Sequence, residues 1–260
     1  HDKVEFDILF TCNEFLLDSR MQELKDSNFS QNDIDCIKKN LIEFTNNLLL
    51  DFDKIFRDNS KLIKEMQKNR YSIHNKLINS KNNYKNLISA SEKLLKDCIT
   101  FGTIPFSTMA RIAFIASINL RSLVKIGIID QITADAFLNS VHTVLSKFRN
   151  DLMLYYNKEI SKRIFLNKYG HLRPGTYDIL ASRYDYDSFF LDNLKFNDVI
   201  EPKKQFKKPK SMLKTLDKIN LIFPKMDFFD FARNAIVERE NLKFEFTKNL
   251  SDALELISKA

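Results

Sequence analysis

The chain predicts an all-α protein, a multi-helix bundle with a long antiparallel helical hairpin arm. Two observations carry that class. Only 4 glycines and 5 prolines interrupt 260 residues, and apolar residues recur at steps of three and four over long stretches. Hydrophobic residues at 44% and charged residues at 29% are ordinary for a soluble globular protein. So few glycines also exclude chemistry: there is no G-x-x-x-x-G-K-[ST] and no G-x-G-x-x-G, hence no self-contained phosphate cradle of either kind.

Residues 1–29 hold apolar clusters around Phe6, Phe10 and Phe15 without a clean period. Ser30, with Asp33 three residues on, reads as an N-cap for a helix running to about Arg57. A second helix is expected from about Ser60 to Cys98. Its stripe runs through Ile63, Met66, Arg70, Ile73, Leu77, Ser80, Tyr84, Leu87, Ser91 and Leu94, and the two make the hairpin arm. Phe101-Gly102-Thr103-Ile104-Pro105 is expected to break the helix, with Ser107 or Thr108 capping the next. That next helix, Met109 to Ile126, is apolar nearly all round and belongs in a core, so Arg111 and Arg121 need partners or a solvated end. Gly127 ends it. One helix is expected from Thr133 to Tyr155, with His142 beside its stripe as a structural residue, and a short one from Ile160 to Tyr169 that stops at Gly170. Further helices are expected over Ser211–Ile222 and Asp227–Lys259. The division read from this order is 1–104 for the N-terminal segment and arm, and 105–260 for a compact bundle.

Net charge is +7, and much of it is local: Lys203, Lys204, Lys207, Lys208 and Lys210 form one run. It reads as a solvated loop, because Phe206 is its one ring and no recognition motif accompanies it; nucleic acid is not an expected partner. Cys12, Cys36 and Cys98 lie far apart with no C-x-x-C, which suits reduced thiols in a cytoplasmic protein, and no metal site is expected. No apolar run approaches the roughly 20 residues of a bilayer span, so no membrane partner is expected. The start at His1 suggests a piece of a longer protein.

Chemistry concentrates in Lys168–Asp185. Two of the four glycines, one proline, His171, Arg173, Arg183, Tyr177, Tyr184, Asp178 and Asp185 fall in this one non-helical stretch. An arginine pair beside a histidine suits a phosphoryl or carboxylate group: guanidinium forks bind its oxygens, and imidazole moves a proton near neutral pH. The other reading is an arginine–aspartate lock that pins helices together. In the last helix a stripe Phe229, Ala232, Ile236 continues through Glu240, Lys243 and Thr247 before Leu250, Leu254 and Ile257, with Arg239 alongside. This charged break is expected to be either an internal ion network or the second wall of a polar pocket facing the turn.

Tyr169-Gly170-His171-Leu172-Arg173-Pro174-Gly175-Thr176-Tyr177-Asp178-Ile179, followed by Ser182-Arg183-Tyr184-Asp185, resembles the central region of phosphoenolpyruvate synthase-like proteins. That family includes pyruvate, phosphate dikinase and rifampin phosphotransferase relatives. Pro105-Phe106 through Leu120-Arg121-Ser122-Leu123, and Glu238-Arg239-Glu240-Asn241-Leu242-Lys243-Phe244 through Asn249-Leu250-Ser251-Asp252-Ala253-Leu254, agree in order and spacing. The likeness spans about Asp7 to Ile257. It implies a machine in which an ATP-grasp domain phosphorylates a histidine on a swivelling domain, which then visits an acceptor. ATP and Mg would belong to the full-length protein and no cofactor to this chain. The implied partners are those two domains of the same polypeptide and an unknown small-molecule acceptor.

On this resemblance the chain is an acceptor-binding or scaffold domain, not catalytic alone. Arg173, Arg183, Arg239, Lys243 and Arg111 would bind anionic oxygens, and His171 would orient or deprotonate the acceptor. Tyr177, Asp178, Tyr184, Asp185 and Glu240 would support them. His171 lacks the T-x-x-G-G-x-x-x-H setting of a phosphocarrier. The alternative is a purely structural helical spacer. The two separate on whether these cations converge on an open pocket or are buried pairwise.

Overall fold

The computed structural model describes residues 9–79, 83–186, 205–209, 220–223 and 226–260. Among them there is no strand, and the all-α class holds. Helix α1 (Leu17–Asp26) leads to α2 (Gln31–Leu50), capped as expected by Ser30, whose Oγ accepts from the Asp33 N–H at 3.1 Å. Helix α2 ends at Leu50 rather than near Arg57, and α3 (Phe52–Ile78) begins after the single residue Asp51. Leu49 and Phe52 are both buried, and Phe52 meets the Phe231 ring edge-on at 5.4 Å.

The single helix expected from Ser60 to Cys98 is two. Helix α3 stops at Ile78, and α4 (Tyr84–Asp97) starts under Asn83, whose side chain accepts from the Asn86 N–H at 2.9 Å. Asn79 and Asn83 mark where one helix stops and the next starts, because short amide side chains compete for backbone groups and favour caps over helix interiors. The hairpin is therefore α3 against α4. Ile73, Leu77 and Leu87 pack around Ala90, Leu94, Ala253 and Leu256, so it is docked rather than a free arm.

The break expected at Phe101–Pro105 is absent. A π-helical turn, Cys98–Thr103, carries the chain into α5 (Ile104–Lys125). Thr103 Oγ1 donates to the Cys98 carbonyl at 3.1 Å. Gly102 lets Phe246 lie against the backbone, since a Cβ there would sit 2.7 Å from that ring. Contrary to expectation, the run Tyr84–Lys125 holds an 18-residue window of mean hydropathy 1.4, long and apolar enough by composition to cross a membrane. Its Met109, Ile112, Ile115 and Leu123 are fully buried in the protein core. Gly127 closes α5 at φ +72°, with Gly127 N–H donating to Val124 and Ile128 N–H to Leu123 in a Schellman pattern.

The helix expected from Thr133 to Tyr155 is also two. Helix α6 (Gln131–Ser140) is capped by Asp130, and α7 (Val144–Tyr156) by Thr143. Between them Val141 is extended, and the Arg233 guanidinium takes the Ser140 carbonyl at 2.8 Å, satisfying the end of α6. His142 lies exposed in this break. Helices α8 (Lys162–Tyr169) and α9 (Phe228–Lys259) complete the described set. The expected helix at 211–222 lies outside the described residues apart from 220–222, which are not helical, and Lys203, Lys204 and Lys210 lie outside them too. Lys208 pairs with Asp227 at 2.5 Å and Asp230 at 2.9 Å.

The chain forms two compact units that interleave in sequence. One comprises 1–56, 109–141 and 202–236, the other 57–108, 142–201 and 237–260. Neither coincides with the division at 104. The first is built around Ile112, Ile115, Leu123, Phe137, Phe228 and Phe231. The second has one cluster of Leu152, Phe165, Tyr169 and Tyr184 and another at Ala90, Leu94, Ala253 and Leu256.

The seam of α9 differs from the expected stripe. Phe229 and Ala232 are buried as expected, but further along the buried residues are Ala235, Leu242, Asn249, Ala253 and Leu256, one position before Ile236, Lys243, Leu250, Leu254 and Ile257. With this shift of about 100°, Leu242 takes the place given to Lys243, and the charged break disappears from the core.

Candidate functional site

The second unit contains the Lys168–Asp185 turn. Gly170 ends α8 with right-handed φ −59°, so it is needed for room rather than for handedness. A Cβ there would sit 2.5 Å from the Leu166 carbonyl oxygen and 2.8 Å from Asp185 Cβ. The turn returns on itself through Tyr184 N–H to Leu172 O at 2.9 Å and Asp185 N–H to Gly170 O at 3.2 Å. Asp178 braces its tip by accepting from the Leu180 N–H at 2.9 Å.

Both arginines of the turn are engaged. Arg173, 6% exposed, donates to the Asp178 carbonyl at 3.2 Å and the Ser251 carbonyl at 3.3 Å, and lies 3.6 Å from Glu255. Arg183 grips Asp185 with two nitrogens, at 3.0 and 2.7 Å, and reaches Asp252 at 2.7 Å. The other oxygen of Asp252 meets His74 Nε2 at 2.9 Å. Burial pushes the Asp252 carboxyl up, but the His74 hydrogen bond and the Arg183 charge outweigh it and hold it at about 2. Ser251 Oγ donates to the His171 carbonyl at 2.6 Å, so contacts from His171, Arg173 and Arg183 to Ser251, Asp252 and Glu255 fasten the turn to α9.

His171 is 3% exposed, its ring edge-on to Phe244 at 4.7 Å, and its Nε2 has no hydrogen-bond partner in the structure. Burial, reinforced by Lys248, pulls its pKa down to about 3, leaving a neutral imidazole at physiological pH. Of the remaining expected site residues, Arg239 lies 3.3 Å from Glu240 and both are partly exposed. Lys243 is exposed on the face away from the seam, and Tyr177 is 77% exposed. Tyr184 is buried with Tyr169 and Phe165. Arg111 belongs to the first unit, exposed, with its guanidinium 5.9 Å from the Phe44 ring. The structure therefore brings together His171, Arg173, Arg183, Asp178 and Asp185 in the second unit, whereas Arg111 belongs to the first and Lys243 is exposed.

Sequence reading missed Ser251, Asp252, Glu255 and His74, the partners of the turn. A signal existed for two of them: Ser251 and Asp252 fall in the Asn249–Leu254 block that carries part of the family likeness. Among the described residues no group of three His, Cys, Asp or Glu side chains could hold a metal ion. The thiols are free; burial pushes Cys12 up to about 12 and raises Cys98 as well.

Comparison of the chain with protein-family models, with curated proteins and with solved structures found no match.

Proposed function

We propose that this chain is a cytoplasmic helical scaffold module of a phosphoenolpyruvate synthase-like, ATP-dependent phosphotransferase, in which the 168–185 turn fastens helices rather than binding the acceptor. The observation that carries the scaffold reading is the ion network: Arg183 between Asp185 and Asp252, and Arg173 on Ser251 and Glu255. A guanidinium held by two carboxylates has few donors left for a ligand. The phosphotransferase part rests on the three sequence blocks alone. ATP, Mg and the phosphate-carrying histidine would come from other domains of the same polypeptide, which fits a chain without a phosphate cradle.

Two measurements test the reading. Arg183→Met should cost about 3 kcal/mol in urea unfolding, with no change in phosphate binding by calorimetry. Unchanged stability with lost phosphate binding would restore the acceptor-wall reading. The class is tested by sequencing the gene on either side of this segment, where the absence of an ATP-grasp domain would rule out the phosphotransferase assignment.

A further inference from the structure

The second unit holds a cavity of about 290 Å³ that the scaffold reading does not use. Two helices of that unit wall it. Helix α3 presents Ser60, Lys64 and Gln67, spaced four and three residues apart and therefore on one face. Helix α9 presents Glu238, Asn241 and Glu245, spaced three and four. Ile63 and Leu242, both buried, and the Phe244 ring make the apolar part of the lining.

The two carboxylates of the lining differ in what meets them. Glu245 is satisfied, accepting from Arg70 Nη2 at 2.7 Å. Glu238 is half-buried and accepts from Asn241 Nδ2 at 3.5 Å, the long limit of a hydrogen bond, and no cation among the described residues offsets its charge. Burial pushes its carboxyl above the usual range, and the Asn241 amide opposes this only in part. A half-buried carboxylate without a counter-charge works against folding. The fastened carboxylates of the same unit, Glu245 and Asp252, each have an arginine. On the α3 wall Lys64 is exposed, and no carboxylate among the described residues pairs with it. One unpaired anion and one unpaired cation thus stand on different walls of a single, partly apolar cavity.

We propose that this cavity binds a small zwitterion, an amino acid with an apolar side chain, its ammonium on Glu238, its carboxylate on Lys64 and its side chain against Ile63, Leu242 and Phe244. An ammonium has three donors to place, and the side-chain oxygens of Asn241 and Gln67 stand with Glu238 as acceptors on the lining. A bare cation would be repelled by Lys64 and a bare anion by Glu238, so a ligand bearing both charges is favoured over either. Pockets of roughly 300 Å³ take small metabolites. The inference is independent of the phosphotransferase reading, and each can fail without the other.

The test is calorimetric titration of the whole chain with L-leucine and, separately, L-phenylalanine near neutral pH. Saturable binding of at least one is expected, weakened about 10-fold or more in Glu238→Gln and in Lys64→Gln, and retained in Lys243→Ala, whose side chain does not line the cavity. Isoamylamine and phenethylamine keep the side chain and ammonium but lack the carboxylate, and each should bind about 10-fold more weakly than its amino acid, or worse. Lys64 is exposed, and Glu238→Gln keeps the shape while removing an uncompensated charge, so both variants are expected to melt at or above the wild-type temperature by circular dichroism. A Glu238→Gln melt well below wild type would assign Glu238 to the fold and overturn the proposal. It is overturned equally by absence of saturable binding of either amino acid, by wild-type affinity in Glu238→Gln or Lys64→Gln, by equal weakening in Lys243→Ala, or by an amine that binds as tightly as its amino acid.

Discussion

The cations of the 168–185 turn and those around Glu14 are set against carboxylates in two different ways. In the turn, Arg183 is one cation between two carboxylates, Asp252 and Asp185, 7% and 32% exposed at the side chain. Around Glu14, one buried carboxylate takes one arginine, Arg20, and the Ser122 hydroxyl. In both places a buried charge matched from within contributes to holding the fold. Residue type alone does not show this. Arg173 and Arg183 looked like the ligand-binding pair, and the count of their partners argues the opposite.

The comparison breaks most sharply at Asp252. Replacing Asp252 by Ala leaves Arg183 and His74 without their shared carboxylate and should cost about 3–5 kcal/mol in urea unfolding. The pair also sets an acid limit. Because the folded carboxyl titrates at about 2 against an ordinary 3.8, its contribution is complete above pH 4 and is lost as pH falls through 2. It amounts to about 2 kcal/mol, and Asp252→Asn should flatten that branch.

His171 gives the next effect. Its folded pKa of about 3 lies below the ordinary 6.5, so the unfolded chain binds the proton first and stability falls as pH drops from 6.5 towards 3. His171→Leu should remove this loss, gaining about 2 kcal/mol over wild type at pH 5 and little at pH 8. A wild-type stability flat between pH 7 and 5 would show that the ring is not held neutral. Gly170→Ala should cost about 1–3 kcal/mol by crowding Leu166 and Asp185, read as a lowered melting temperature. Smallest is Lys243→Ala, expected within about 0.5 kcal/mol of wild type. Leu242→Ala, one residue away, should cost about 2–5 kcal/mol, so the pair measures the register of α9 directly.

The helix class, the Ser30 cap, the Gly127 stop and the extent of α9 were legible because each is set by local chemistry. What failed needed partners distant in sequence. From Phe229 and Ala232 a stripe at steps of three and four can continue through Ile236, Lys243 and Leu250 or through Ala235, Leu242 and Asn249; packing chose the second. Pro105 looked like a stop because the π turn that absorbs it depends on Phe246 lying over Gly102. Asn83 and Thr143 were readable as caps, yet apolar periodicity running across both concealed the breaks. For the turn, the lock was one of two readings the residues allowed, and its deciding partners, Ser251 and Asp252, sit some seventy to eighty residues further on.

The interleaving of the two units has a consequence for how the chain is made. The first unit takes its last segment from residues up to 236 and the second from residues up to 260, so neither has all its parts until α9 is made. Until then α1 to α5 would stand with the apolar faces that α9 later covers still bare. The two units should therefore fold only after α9 has emerged, and holding chaperones at the ribosome should matter more to their yield than to that of units that follow one another in order.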